Sequence, residues 1–163
     1  MLFRSYARAM NQALSGTGAD VLVALNPDTR PAPGSLGRLV EVLLADPDAA
    51  VVSPSLVEPD GTLQPHAHRF PSVMDAIALH LLPGPLARGR LGDRWFLAES
   101  RAARSEATLT VDWTVGAVHV VRTAALAGES PYDERTFMYG EDLDLCRRLH
   151  RRGWRTVRVG RVR

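Results

Sequence analysis

The chain has 163 residues, of which 45% are hydrophobic and 23% charged, as in an ordinary globular protein of one domain. Its net charge is only +2, and all 20 basic side chains are arginine because the sequence contains no lysine. A nearly neutral chain without a recognised nucleic-acid motif argues against a nucleic-acid-binding protein. The single cysteine, Cys146, excludes a disulfide framework and a thiolate metal cluster within the chain.

No apolar run approaches the roughly 20 residues that span a bilayer, and residues 1–4 lack the pattern of a signal peptide. We therefore expect a soluble cytoplasmic protein. Contact with the inner face of the plasma membrane, through a partner or another segment, stays open. The arginines within 147–158 could face anionic lipid or nucleic acid, but a solvated helix face is the simpler interpretation.

The hydrophobic pattern of the first part of the chain predicts helices alternating with short buried strands. Helical spacing predicts a helix over 1–15, and Val21–Leu25 is a continuous apolar run that favours a strand buried on both faces. A second helix begins at 33–35 and ends at Asp46-Pro47. Its predicted apolar face consists of Leu36, Leu39, Val40, Leu43 and Leu44. Residues 50–53 form the next predicted strand.

The Asp60-Gly61 pair predicts a hairpin over 56–64. The apolar spacing of residues 74–82 predicts a short amphipathic helix. The segment 83–106, rich in Pro, Gly and Arg, is predicted to be an irregular loop or lid.

The last part of the chain predicts two strands, a helix and a closing strand. The two strands cover 109–113 and 117–121. The helix begins at Glu141, where acidic residues complement its dipole, and ends near Arg152 with Gly153 as its C-cap. The closing strand covers 154–159. We expect residues 1–163 to form one α/β domain.

A polar cluster, Asn26-Pro27-Asp28, directly follows the first buried strand, where open α/β sheets place ligands. The Asp28 carboxylate could bind a hard divalent cation such as Mg²⁺ or Mn²⁺. The same residues also favour a turn, so the pattern alone leaves both interpretations open.

Two further clusters carry candidate chemistry. One carboxylate of Glu141–Asp144 could act as a general base toward a hydroxyl, although helix capping explains the same residues. His66 and His68 share one face of an extended segment and could bind a metal. No third ligand is evident, so exposed loop histidines are the simpler interpretation. His80, His119 and His150 are isolated and are interpreted as surface or packing residues.

Short motifs in a characteristic order run along nearly the whole chain. They are Asn11, Leu25-Asn26-Pro27-Asp28-Thr29, Pro33-Gly34, Asp46-Pro47, Val52-Ser53-Pro54, Asp60-Gly61-Thr62-Leu63-Gln64, Arg69-Phe70-Pro71-Ser72, Val111-Asp112-Trp113, Gly116-Ala117, Tyr132-Asp133-Glu134, Phe137-Met138-Tyr139-Gly140-Glu141-Asp142-Leu143-Asp144-Leu145-Cys146-Arg147-Arg148 and Gly153-Trp154. Together they resemble the family 2 glycosyltransferases of the GT-A fold, above all the rhamnosyltransferase-like branch that builds bacterial cell-wall and surface polysaccharides.

The resemblance implies a partial GT-A fold, a mixed sheet flanked by helices that lacks the N-terminal βαβ nucleotide-binding half. It implies an inverting transfer of a sugar, with rhamnose as the guess, from a nucleotide-diphospho-sugar to a glycan or lipid-linked glycan acceptor. Because the donor half is missing, we expect the chain alone to be inactive and to self-associate through an uncovered sheet edge. The alternative is a non-catalytic remnant that binds carbohydrate or a partner.

The resemblance also implies roles for individual residues. Asp28 would hold a divalent metal, Mg or Mn, on the donor diphosphate, and the donor site would also include Asn26 and Arg69. Asp142 would be the catalytic base, with Glu141 as the alternative. The acceptor site would be formed by Trp113, Gly116, Ala117 and Asp144.

Overall fold

A computed structural model describes residues 5–64, 66–73, 107–136 and 139–160. Its helices are α1 (Tyr6–Leu14), α2 (Ser35–Ala45) and α3 (Glu141–Arg151), with a 3-10 helix at Thr123–Leu126. Its strands are β1 (Val21–Leu25), β2 (Ala49–Pro54), β3 (Leu56–Val57), β4 (Leu63–Gln64), β5 (Ala67–His68), β6 (Leu109–Val111), β7 (Trp113–Thr114), β8 (Val118–Arg122) and β9 (Arg155–Val159). The predicted helix over 74–82 and the predicted loop or lid over 83–106 lie outside the described residues.

The main sheet has five strands in the order β1-β8-β2-β9-β6. Strand β8 is antiparallel to β1 and β2, β9 is parallel to β2, and β6 is antiparallel to β9. Strands β1, β2 and β9 therefore run in one direction, and their carboxyl ends lie at the same edge of the sheet. Open α/β sheets bind their ligands at this edge.

Helices cover both faces of the sheet, because successive side chains of a strand point to opposite faces. On one face, Leu39 and Leu43 of α2 pack against valines of β2, β8 and β9. On the other face, α1 and α3 pack against the alternate residues of β1, β2 and β8, with Leu145 and Leu149 fully buried. The prediction of a mixed sheet flanked by helices is confirmed.

Two predictions of local structure are wrong. The predicted strand over 109–113 is two strands, since β6 joins the main sheet while β7 pairs with β5. Asp112 lies at the break and its carboxylate accepts a hydrogen bond of 2.8 Å from the Phe70 N–H, which ties the break to the chain beside β5. Leu44 was assigned to the apolar face of α2 but is 59% exposed. It lies about 100° around the helix from Leu43, so it cannot share the buried stripe.

Most arginines within 147–158 are exposed, as expected, but Arg148 is half-buried and Arg158 is buried. Arg148 pairs with Asp144 and Glu129, Arg152 pairs with Glu129, and Arg155 pairs with Asp46 and Asp48. Exposed pairs of this kind contribute little each, typically about 0–1 kcal/mol. These side chains connect α3 and β9 to neighbouring segments.

Strand β1 is an outer strand of the main sheet, and its Val23 and Leu25 side chains are 36% and 37% exposed. Self-association through this edge stays a prediction. Within the described ranges, no helix combines the length and the apolar character required to cross a membrane.

Candidate functional site

The loop between β7 and β8 joins distant parts of the chain at the carboxyl edge of the sheet. The Ala117 carbonyl accepts a hydrogen bond of 2.9 Å from the Asn26 N–H, at the end of β1. The adjacent Gly116 N–H donates to Asp142 Oδ2 at 3.0 Å, at the start of α3. The loop after β1 and the start of α3 therefore meet at two consecutive residues, Gly116 and Ala117.

Gly116 allows this approach because it has no side chain. A Cβ atom added at Gly116 would lie 3.3 Å from the Asp142 Cβ, closer than ordinary van der Waals contact. The Asp142 side chain would have to move for any larger residue. The contact between Gly116 and the acidic start of α3 thus has a steric basis.

The backbone before α3 is bent sharply, which places Asp142 in the first turn of the helix. Tyr139 and Gly140 both have positive φ, 68° and 92°, and this region is uncommon for a residue with a side chain. Asp142 Oδ1 accepts a hydrogen bond of 2.7 Å from the Leu143 N–H. One oxygen thus satisfies a free helix amide, as in capping, and the other binds Gly116. Each oxygen retains a lone pair that can accept a proton.

Tyr6 of α1 binds the loop after β1 and lies within electrostatic reach of the two candidate bases, Glu141 and Asp142. Its O–H donates to Asn26 Oδ1 at 3.1 Å. Burial raises the pKa of Tyr6, and the charges of Glu141 and Asp142 raise it further. The phenol therefore stays protonated and can donate. Sequence reasoning missed this residue, because its spacing on α1 only marked it as part of an apolar face.

Glu141, the alternative base, is half-buried beside Asp142. Its Oε2 atom is buried without a hydrogen-bond partner among the residues that the structure describes. The assignment of the base to Asp142 rather than Glu141 stays a prediction.

Asp28 lies in an exposed turn just beyond Asn26. The turn is closed by Thr29, whose N–H and Oγ1 donate to the Asn26 carbonyl at 3.1 and 2.6 Å. The Asp28 carboxylate has no hydrogen bond or ion pair within the described part of the chain. The turn leaves the Asp28 carboxylate exposed, so the presence of a turn does not exclude binding of a cation by Asp28. The Asn26 side chain, in contrast, already binds Tyr6 through Oδ1.

The interpretation of His66 and His68 as exposed loop residues is wrong. His66 is 2% exposed, and its Nδ1–H donates to the Gln64 carbonyl at 2.9 Å. The His68 ring stacks on Trp113 with 4.5 Å between ring centroids. His66 is buried and His68 is half-buried beside the pair of β5 and β7, and burial lowers the pKa of each histidine. No group of three metal-binding side chains occurs among the described residues.

Two other predicted site residues, Trp113 and Arg69, lie side by side. The Trp113 indole N–H donates to the Arg69 carbonyl at 3.0 Å, while the Arg69 side chain is exposed. The charge of Asp142 raises the pKa of His68 against the larger effect of burial. The stacked pair of His68 and Trp113 is therefore within electrostatic reach of Asp142.

Asp144 lies apart from the other predicted acceptor residues. Its Oδ2 accepts a hydrogen bond of 2.8 Å from Arg148 Nε. Two positions after Asp142, it lies on roughly the opposite side of α3. The fold does not bring Asp144 to Gly116, and its acceptor role stays a prediction.

Known proteins with a similar sequence support the resemblance seen in the motifs. The chain is 30% identical over 165 residues to the N-acetylglucosaminyl-diphospho-decaprenol L-rhamnosyltransferases of two Mycobacterium tuberculosis strains. The predicted resemblance to rhamnosyltransferases is confirmed. The alignment covers 94% of this chain and 52% of each relative, so the chain spans about half the length of these relatives. No protein-family model matches the chain.

Proposed function

We propose that this chain forms the catalytic-base and acceptor part of an inverting, metal-dependent glycosyltransferase with a GT-A fold. The observation that carries the proposal is the contact of Gly116 and Ala117 with both Asp142 and the loop of Asn26. This contact joins the half-buried Asp142 to the loop that carries the exposed Asp28, at the ligand edge of the sheet. Similarity to rhamnosyltransferases over nearly the whole chain supports sugar transfer as the chemistry.

In the proposed reaction, Asp142 removes a proton from the acceptor hydroxyl as that oxygen attacks the anomeric carbon. The bond from the acceptor oxygen to the sugar forms while the bond from the sugar to the diphosphate breaks. Attack opposite the leaving group inverts the anomeric centre in one displacement. General-base assistance of this kind is typically worth ~10²–10⁴-fold in rate. The Gly116 N–H orients the carboxylate for this step.

The residues present fit a divalent cation bound mainly by the donor. Mg²⁺ is commonly held by one or two carboxylates together with substrate phosphates and water. Asp28 would be one ligand, since its carboxylate is exposed and free of partners within the described ranges. When bound, Mg²⁺ or Mn²⁺ would stabilise the negative charge of the departing diphosphate.

For this chain we propose a nucleotide-diphospho-sugar donor, with L-rhamnose as the first candidate sugar. The names of the relatives specify N-acetylglucosaminyl-diphospho-decaprenol and L-rhamnose. We propose a lipid-linked glycan of the same chemical class as the acceptor. Such an acceptor would place the reaction at the inner face of the plasma membrane, in cell-wall polysaccharide biosynthesis.

Calorimetry with nucleoside diphosphates, with and without Mn²⁺, tests the donor side of the proposal. We expect binding that requires Mn²⁺ and is lost in Asp28→Ala. Asp20→Ala is the matched control, because Asp20 is also exposed and lies at the other end of β1. Carbohydrate binding that is indifferent to Mn²⁺ and to Asp28 would overturn the proposal in favour of a non-catalytic binding module.

Transfer of L-rhamnose from its nucleotide diphosphate to a polyprenyl-diphospho-N-acetylglucosamine tests the base. Asp142→Asn should lower the rate by ~10²–10⁴-fold while leaving diphosphate binding intact. Asp46→Asn is the control, since it changes a carboxylate outside the predicted site that pairs with Arg155. Equal and measurable rates in the wild type and Asp142→Asn would exclude Asp142 as the base, whereas no transfer by the wild type would agree with the expectation that the chain alone is inactive.

A further inference from the structure

His119 is a fully buried polar residue in the middle of β8, and its ring reaches back to the end of β7. Its Nε2 lies 2.9 Å from Thr114 Oγ1 and 3.2 Å from the Thr114 carbonyl oxygen. Because a carbonyl can only accept, the hydrogen of the neutral ring lies on Nε2. Burial lowers the pKa of His119 more than the charge of Asp142 raises it, so the ring is neutral.

The same ring packs against Gly116, between Thr114 and His119 in the sequence. His119 Cε1 lies 3.8 Å from the position that a Gly116 Cβ would occupy, and Asp142 Cβ lies 3.3 Å from that position. The imidazole and the Asp142 side chain therefore both lie beside Gly116. The hydrogen bond from His119 to Thr114 closes the loop that presents the Gly116 N–H.

We propose that His119 is a positioning residue for Asp142, because its bond to Thr114 fixes the loop whose Gly116 N–H binds Asp142 Oδ2. His119 acts through Thr114 and Gly116 and does not contact the substrate. The catalytic consequence rests on the proposed function, in which Asp142 is the base. The structural part of the proposal does not depend on that function.

Packing alone does not account for a histidine at this position. Its neighbours on the same strand, Val118 and Val120, are buried apolar residues that fill the core under α2. His119 Nδ1 is buried with no hydrogen-bond partner in the part of the chain that the structure describes. Leaving a buried polar atom unpaired is costly, and an apolar side chain would avoid that cost. The compensating contact is the one with Thr114.

Nuclear magnetic resonance of the Gly116 amide in the full chain tests this inference without an activity assay. In the wild type, the Gly116 ¹H and ¹⁵N shifts should titrate with the Asp142 carboxyl, because the N–H donates to it. The other titratable groups that feel the charge of Asp142 are Tyr6, His68, Tyr132 and Cys146, besides His119 itself. Asp142→Asn identifies the Asp142 component, since it removes that titration alone.

Three variants separate positioning from packing. His119→Leu replaces the ring by an apolar side chain that has no hydrogen-bond donor. The Gly116 amide should then lose its titration, and its hydrogen should exchange with solvent roughly fivefold faster. His119→Gln retains an N–H donor and should restore both properties. Val120→Ala is the matched control on the same strand, since it lowers stability from the opposite face and should leave the Gly116 signal unchanged.

An unchanged Gly116 titration in His119→Leu would overturn the proposal, as would failure of His119→Gln to restore what leucine abolishes. If His119→Leu does not fold, the ¹⁵N shifts of the His119 ring in the wild type test the bond itself. A neutral ring with its hydrogen on Nδ1 cannot donate to the Thr114 carbonyl and would then overturn the proposal. Loss of transfer in Asp142→Asn is measured separately, so failure of the proposed function and failure of the positioning role are distinguishable.

Discussion

The two faces of the main sheet are built from the same strands but from different chemistry. Toward α2, the buried side chains of the described strands are apolar, namely Ala49, Val52, Val118, Val120, Val157 and Val159. Toward α1 and α3, alternation along the same strands presents the buried polar residues Ser53, His119, Thr156 and Arg158. Burial of polar groups costs free energy unless they are hydrogen-bonded. Packing on the α2 face therefore contributes mainly to stability. On the α3 face, one of the buried polar residues, His119, is proposed to position the candidate site.

The largest expected effect is on the α2 face. Leu39 is fully buried, so Leu39→Ala should lower the free energy of unfolding by about 2–5 kcal/mol, measured by urea denaturation. Leu44→Ala, at a position 59% exposed on the same helix, should change it by less than about 0.5 kcal/mol. If Leu39→Ala also altered the Gly116 amide titration under folded conditions, the two faces would not be independent.

The second prediction concerns Asn11, a buried polar residue on the α3 face. Its Nδ2 donates to the Tyr132 carbonyl at 2.8 Å, and its Oδ1 accepts from the Tyr132 N–H at 3.1 Å. Asn11→Leu should cost about 1–3 kcal/mol for each backbone group left unpaired. Arg8→Leu, at an exposed position of the same helix, is the control in the same denaturation experiment. A stability equal to that of the control would mean that water replaces both bonds.

The third prediction concerns the steric effect of a side chain at Gly116, within the candidate site. Gly116→Ala would put a Cβ atom 3.3 Å from Asp142 Cβ, and the resulting overpacking should cost about 1–3 kcal/mol. The hydrogen bond from residue 116 to Asp142 should lengthen, which the same amide titration would show. Gly37→Ala is the matched control, because its new methyl group meets nothing within 4 Å on helix α2. There alanine should stabilise by roughly 0.5–1 kcal/mol. Equal effects at the two glycines would contradict the steric account.

The last prediction is a dependence of stability on pH. Burial lowers the pKa of His66, His68 and His119 in the folded chain. Below the usual histidine pKa of about 6.5, the unfolded chain therefore binds more protons than the folded chain, and stability decreases as pH falls. The full contribution is present above that value. Urea denaturation between pH 8 and pH 5 would measure it, and a flat profile would contradict the burial of these rings.

The Asp133 carboxylate affects stability in a lower pH range than the histidines do. Arg135 lowers the pKa of Asp133 to about 2, so any contribution from this carboxylate is present above its usual value and lost as pH falls toward 2. Among the described groups with a shifted pKa, only His66, His68 and His119 should act between pH 5 and pH 8. His119→Leu should therefore reduce the slope in that range.

Much of the fold could be predicted because local signals were strong. The run Val21–Leu25 and the turn after it, the apolar spacing of Leu39 and Leu43, and the acidic start of α3 each correspond to an observed element. The division of residues 109–113 between two sheets could not be predicted. It depends on the bond between Asp112 and Phe70, which are 42 residues apart.

The candidate site was predictable only in part. Motif resemblance selected Asp142, Gly116 and Asn26, and the fold brings their backbones and side chains together. It gave no indication of Tyr6 or His119, because a single tyrosine on a helix or histidine in a strand is usually a packing residue. Tyr6 binds Asn26, which is 20 residues away in the sequence, and His119 binds Thr114 of the preceding strand β7.

The order of strands and helices, the turn at Asp28 and the acidic first turn of α3 followed from the sequence by itself, because periodicity, capping and turn preferences act within a few residues. Tertiary structure alone decided that Gly116 binds Asp142, that His66 is buried and that His68 stacks on Trp113. These outcomes depend on strand pairing and on which face of a helix meets the sheet. Both are fixed by burial summed over the whole domain, which no local pattern contains.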